Sequence, residues 1–178
     1  MPLGEGLIER IGQENSDISH TVRRVASAGE PAPTVLDTTE RSQRPIADHD
    51  EAMKVMLEQF SEHGPQLAEH PPVVVGHRVV HGGARFFAPT LIDDLIEINI
   101  EDLSALAPLH NPGAVAGIRA GRRSFADVPH IAIFDTAFHQ TLPPAAYTYA
   151  IERKVAARHR IRRYGFHGTS HKYVSEQA

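Results

Sequence analysis

The sequence predicts an α/β fold, a mixed central sheet flanked by helices, and three observations carry that reading. Val73, Val74, Val75, Val79 and Val80 concentrate β-branched residues in one short stretch, as a buried strand does. Val128–Phe134, VPHIAIF, is an apolar run bounded by polar residues, the pattern of a parallel strand covered on both faces. Between and before these runs, apolar residues recur at helical spacing. With 178 residues and 41% hydrophobic content, the chain suffices for one domain with a sizeable core.

Taken in order, Leu7–Gly12, LIERIG, reads as the end of a strand or a short helix, and His20–Val25 has short β character. Gly29–Pro45 is rich in Pro, Thr and Ser and reads as an exposed loop. Asp48 and Glu51 have capping-box spacing, followed by Met53, Val55, Met56, Leu57 and Phe60 on a helix ending near Gly64. Pro71 and Pro72 lead into the valine strand, which Gly82 and Gly83 end. Thr90–Ile96 is expected as an extended edge, and Asn99 as the cap of a helix running to about His110. Pro112 suits the first turn of a helix with Ala114, Ala116, Ile118 and Phe125 facing inward. After the 128–134 strand, Pro143 and Pro144 break the chain. Ala145–Arg160 is then helical in two pieces, and a last helix starts near Thr169.

Composition excludes several classes of function. A formal net charge of -4 offers no broad basic face for nucleic acid, and Arg158, Arg160, Arg162 and Arg163 form only a local basic cluster, read as a solvated face. The absence of cysteine removes disulfides and thiolate metal sites and fits a reducing cytoplasm. No apolar run approaches the roughly 20 residues of a membrane helix. The charged N-terminus lacks the apolar core of a signal peptide.

Three stretches concentrate able chemistry: VGHRVVHGG at 75–83, FDTAFHQTLPP at 134–144 and YGFHGTSHKYV at 164–174. Strand alternation sets Arg78 and Val80 on one face and His77, Val79 and His81 on the other. A guanidinium beside a valine suits a small ligand with a charged head and an apolar tail. Arg78 can grip carboxylate or phosphoryl oxygens, Asp135 can organise a magnesium-bound phosphate, and His167 can donate to charge on a transferring phosphoryl. Structural readings stand beside these. Arg78 can form a buried ion pair, Asp135 can cap a helix, and Val80, Leu109 and Phe166 can be plain core. His167 and His171 lie four apart but lack the glutamate of HExxH, so zinc is not expected. The HGG at 81–83 has no GxSxG partner, which removes an esterase.

Together with APLHNP at 107–112, these strings resemble the acetate kinase family. The resemblance implies a ribonuclease-H-like domain of the acetate and sugar kinase, Hsp70 and actin superfamily. It implies reversible transfer of the ATP γ-phosphoryl to acetate with Mg2+ or Mn2+, giving acetyl phosphate and ADP. It implies catalytic roles for Arg78, Asp135 and His167, with Asp135 serving the metal indirectly. Substrate contacts would come from Arg78, Val80, Leu109 and Phe166, with His81, His110 and His171 in support. A cytoplasmic homodimer without nucleic-acid or membrane partners is implied as well.

The same resemblance marks departures. A leading NAGSSSLK-like turn and a later HLGNG-like turn are not in the sequence, and Ala84 stands where many relatives have glutamate. Residues 1–178 therefore read as a single, incomplete N-terminal domain, with 29–45 as a variable loop and a missing first strand that leaves a sheet edge exposed. The expected consequence is negligible turnover by this chain alone. Propionate kinase, or a non-catalytic interaction module, is the alternative.

Overall fold

In the computed structural model, residues 3–25 and 35–178 are described, and they divide into two compact units where the sequence suggests one domain. Residues 1–73 with 123–125 form the first, and 74–122 with 126–178 the second. Each unit has its own apolar cluster, which is the physical reason for the division.

The first unit is built on an antiparallel sheet, β1 (Gly4–Glu9), β2 (Ser16–Val25) and β3 (Val35–Arg44), in the order β1-β2-β3. Strand β3 corrects the loop expected over 29–45, of which residues 29–34 lie outside the described residues. The polar sequence of β3 hid it, because cross-strand partners on β2 supply what a core face would. Thr39 meets Thr21 at 2.8 Å, and Asp37 takes a two-pronged ion pair from Arg23 at 2.9 and 3.0 Å. Helix α1 (His49–His63) is capped as its sequence predicts: Glu51 N–H donates to Asp48 at 2.9 Å, and the Glu51 carboxylate accepts from Ala47 N–H at 2.6 Å. It ends at Gly64, whose φ of 84° favours glycine. Ile18, Ile46, Ala52 and Val55 form this unit's core.

The second unit holds the mixed sheet: β4 (Val75–Val79), β5 (Thr90–Leu91) and β6 (His130–Phe134), with β6 central. Strands β4 and β6 run parallel, Arg78 opposite Ile133 and Val79 opposite Phe134, while β5 pairs antiparallel. The extended edge expected over 90–96 shrinks to two residues because Asp93 caps helix α2 (Asp94–Asp102), accepting from Ile96 N–H at 2.7 Å. Asn99 is thus a mid-helix residue, bonded to Leu95 and Arg85, and caps nothing. A 3-10 turn follows over Leu103–Leu106.

Helix α3 (Asn111–Ser124) buries Val115, Ile118, Ala120 and Gly121, a face rotated from the expected one although Ile118 is shared and Ala114 packs partly against the core. Helices α4 (Pro144–Tyr147) and α5 (Arg153–Arg158) are the two expected pieces, and α6 (Gly168–Gln177) starts one residue before Thr169. Phe134 stacks on Phe86 at 4.5 Å at the centre of a core that also holds Val79, Ile100, Leu103 and Ile118. Among the described residues no helix is long and apolar enough to cross a membrane.

Candidate active site

Parallel strands deliver their C-terminal ends to the same edge of a sheet, and β4 and β6 do so here. Val79 is fully buried against the core, so its neighbour Arg78 must point to the opposite face. Asp135, the residue after β6, stays in register by donating its N–H to the Val79 carbonyl at 2.9 Å. Arg78 then reaches the Asp135 Oδ2 through Nε at 2.9 Å and Nη2 at 2.5 Å. The pair is lopsided: the Arg78 side chain is 66% exposed and that of Asp135 only 3%. The ion-pair and ligand readings of Arg78 therefore converge, since one edge of the guanidinium neutralises a buried carboxylate and the rest faces solvent. The hydrogen bond to Asp135 raises the Arg78 pKa further, so its charge is permanent.

Helix α6 closes the site. The backbone N–H of Gly168 donates to the Asp135 carbonyl at 2.7 Å, and the approach is so close that a Cβ on residue 168 would collide with that oxygen. His167 precedes it in the left-handed region, φ 53°, and is exposed. Arg78, Asp135 and His167 line one open cavity of about 640 Å3 together with Gly76, Ile133, Thr169, Ser170 and Tyr173. The Thr169 hydroxyl lies 3.4 Å from the Asp135 Oδ1. Thr169, Ser170 and Tyr173 escape a motif reading that singles out only the histidines of FHGTSHKY. Their signal is their place in the first turns of a helix starting next to a strand-end aspartate.

The remaining expected residues fall elsewhere. Val80 lies beyond the end of β4, so the alternation that would set it beside Arg78 has already stopped. Neither Val80, Leu109 nor Phe166 lines the Arg78 cavity, and Leu109 is 89% exposed. His110 is exposed, and His171 packs edge-on to His139 at 5.6 Å.

His81 is buried and serves the turn: Gly83 N–H donates to its Nδ1 at 2.9 Å, and Asn111 bonds its backbone N–H and carbonyl at 3.1 and 3.0 Å. Burial lowers its pKa and favours the neutral ring that this contact requires. His77, on the opposite face from Arg78, meets His130 at 2.8 Å and abuts Gly121 of α3; burial, then the second imidazole, lowers its pKa to about 4.

The donor set bears on a metal. Among the described residues no group of three or more His, Asp or Glu is placed to hold one. Asp135 alone offers an oxygen, Oδ1, not taken by Arg78. Magnesium keeps waters and needs only one or two carboxylates when phosphates supply the rest, so the residues fit a metal carried by a phosphorylated ligand.

A profile of the acetokinase family matches residues 2–178. The chain belongs to the acetokinase family. The acetate kinase of Clavibacter michiganensis is 58% identical over 176 residues, which are 99% of this chain and 41% of that protein. The chain thus spans about two fifths of the length of this acetokinase relative. Two solved structures agree. Porphyromonas gingivalis acetate kinase matches with a TM-score of 0.82 at 32% identity, over 98% of this chain and 41% of that one. A propionate kinase from Francisella tularensis matches with a TM-score of 0.80 at 36% identity, with the same two coverages. The α/β, ribonuclease-H-like class expected from the acetokinase resemblance holds.

Proposed function

We propose that this chain supplies the acceptor side of an acetate kinase site, where the ATP γ-phosphoryl passes reversibly to acetate to give acetyl phosphate and ADP. The observation that carries this reading is the convergence of Arg78, Asp135 and His167 on one open cavity beside a parallel strand pair. A carboxylate oxygen of acetate attacks the γ-phosphorus, the bond from that phosphorus to the ADP oxygen breaks, and no proton transfer is needed. The work left to the protein is positioning and electrostatics.

Arg78 is suited to it because Nε and Nη2 are anchored on Asp135, which fixes the guanidinium plane and leaves Nη1 free to donate to a ligand oxygen. His167, exposed at the head of α6, donates to a second oxygen. Asp135 fixes Arg78 with Oδ2, and its Oδ1 would accept a hydrogen bond from a water on a bound metal. Magnesium or manganese, when bound, supplies positive charge to the phosphates. Val80, Leu109 and Phe166 are proposed to meet the methyl group in the whole protein.

Transfer requires acceptor and nucleotide to be held in line, and the nucleotide side is assigned to the part of the enzyme beyond this chain's share of its relatives. The 178 residues alone are expected to bind acetyl phosphate and not to turn over. Acetyl phosphate titrated into isotope-labelled chain should shift the Arg78 and His167 resonances, and Arg78→Ala should remove the response. Unchanged spectra at saturating concentration overturn the acceptor-site assignment. Acetate-dependent ADP release by the purified chain overturns the assignment of the nucleotide side elsewhere. Propionate is the second reading, supported by the solved propionate kinase match. One methylene changes affinity by only about 1–3 kcal/mol, so competition between acetate and propionate in the whole enzyme decides it.

A further inference from the structure

A second cavity, of about 440 Å3, lies in the same unit and shares no lining residue with the first. Its wall is mainly apolar, with Leu103, Leu106, Ala156, Ala157 and Ile161 among the lining residues. Four arginines, Arg85, Arg153, Arg160 and Arg162, line it as well, and no acidic residue does. Asp102 is the one carboxylate paired with any of them among the described residues, and it is shared by Arg85 at 2.8 Å and Arg160 at 3.1 Å. Arg162 sits over the Tyr147 ring at 3.7 Å from its centroid and 5.1 Å from that of Tyr164. Arg153 makes no ion pair among the described residues. The local charge is therefore positive beyond what its partner neutralises. Two arginines of the basic run that reads in sequence as a solvated face, Arg160 and Arg162, line this apolar floor.

We propose that this cavity is a binding site for an organic anion with an apolar or aromatic body, its phosphate or carboxylate head held by Arg153 and Arg162. The volume lies within the range of small-molecule sites, and it exceeds what a two-carbon acid can fill. Guanidinium groups suit oxyanion heads, and Tyr147 with Arg162 forms a flat platform for a planar body. Burial raises the Tyr164 pKa, with Arg162 and Arg160 acting against it, so the phenol remains a hydrogen-bond donor at neutral pH. This inference is independent of the acceptor-site reading.

Isothermal titration of the chain with phenyl phosphate and with benzoate tests it, with circular dichroism confirming each variant's fold. Saturable binding of either probe is expected, weakened about tenfold by Arg153→Ala or Arg162→Ala. Ala157→Trp, which fills the cavity from an exposed helical position, should abolish it, and Arg78→Ala should leave it unchanged. Preference for one probe identifies the head group. Failure of both probes to saturate at tens of millimolar overturns the proposal. So does inorganic phosphate binding as tightly as phenyl phosphate, or binding lost in Arg78→Ala and kept in Ala157→Trp and Arg153→Ala.

Discussion

Among the described residues the two sheets have three strands each and differ in what their charged residues do. In the antiparallel sheet β1-β2-β3, neighbours in sequence are neighbours in space, and polar side chains satisfy one another across strands: Arg23 with Asp37, Arg10 and Gln43 with Asp17. In the mixed sheet, the parallel pair β4 and β6 brings together residues 57 positions apart, and Arg78 with Asp135 opens onto a cavity. Parallel pairing needs a long crossover, and that crossover supplies α2 and α3, whose apolar faces build the core beneath the site. Charges paired along a hairpin cancel in place. Charges paired at the ends of parallel strands remain available to a ligand.

Each sheet rests on its own core, and the largest effects are expected there. Phe134→Ala should cost about 3–5 kcal/mol and Ile46→Ala about 2–5 kcal/mol. Hydrogen exchange should locate the first loss in β4 and β6 and the second in β1–β3 and α1. Identical protection changes throughout the chain would erase the distinction between the two units.

Arg78→Ala, in this chain joined to the remaining portion of the Clavibacter michiganensis enzyme, should lower kcat by about 10²–10³-fold. Because it also strands the buried Asp135 carboxylate, it should cost about 1–2 kcal/mol in thermal denaturation. Arg23→Ala in the antiparallel sheet should cost no activity and only a small shift in Tm. Equal effects of the two substitutions on kcat would break the contrast.

Gly168→Ala forces a methyl group against the Asp135 carbonyl and should destabilise by about 1–3 kcal/mol, with loss of the Gly168 amide's exchange protection.

The smallest effect is on pH. His77 titrates near 4 when folded, below the ordinary 6.5, so its contribution to stability is complete above 6.5 and fades as the pH falls toward 4. His81 acts in the same direction. Tm of the wild-type chain should fall across that window, and His77→Gln should flatten the slope. An unchanged slope removes His77 as its source.

Local patterns were legible where short-range chemistry decides the structure. The α1 cap at Asp48 and Glu51, the end at Gly64, the break at Pro143 and Pro144 and the apolar β6 run all depend on residues within a few positions of one another. Strand β3 was not legible, because its polar side chains are satisfied by β2 and no apolar alternation marks it. The place of α2 was misread because Asn99 and Asp93 are both capable caps, and packing of Ile96 and Ile100 against the core selects Asp93.

By itself the sequence determined which side chains have the chemistry: an arginine in a valine strand, an aspartate after an apolar run, and a histidine before a glycine and a helix. Only the tertiary structure decided that Arg78 rests on the Asp135 carboxylate and that Gly168 ties α6 to the Asp135 backbone carbonyl. It also placed Arg160 and Arg162 of the basic run, with Arg153, along the wall of a second cavity. The physical reason is that identity and local propensity are properties of short segments. Convergence is set by the register of parallel strands and the packing of the helices between them, which no segment carries alone.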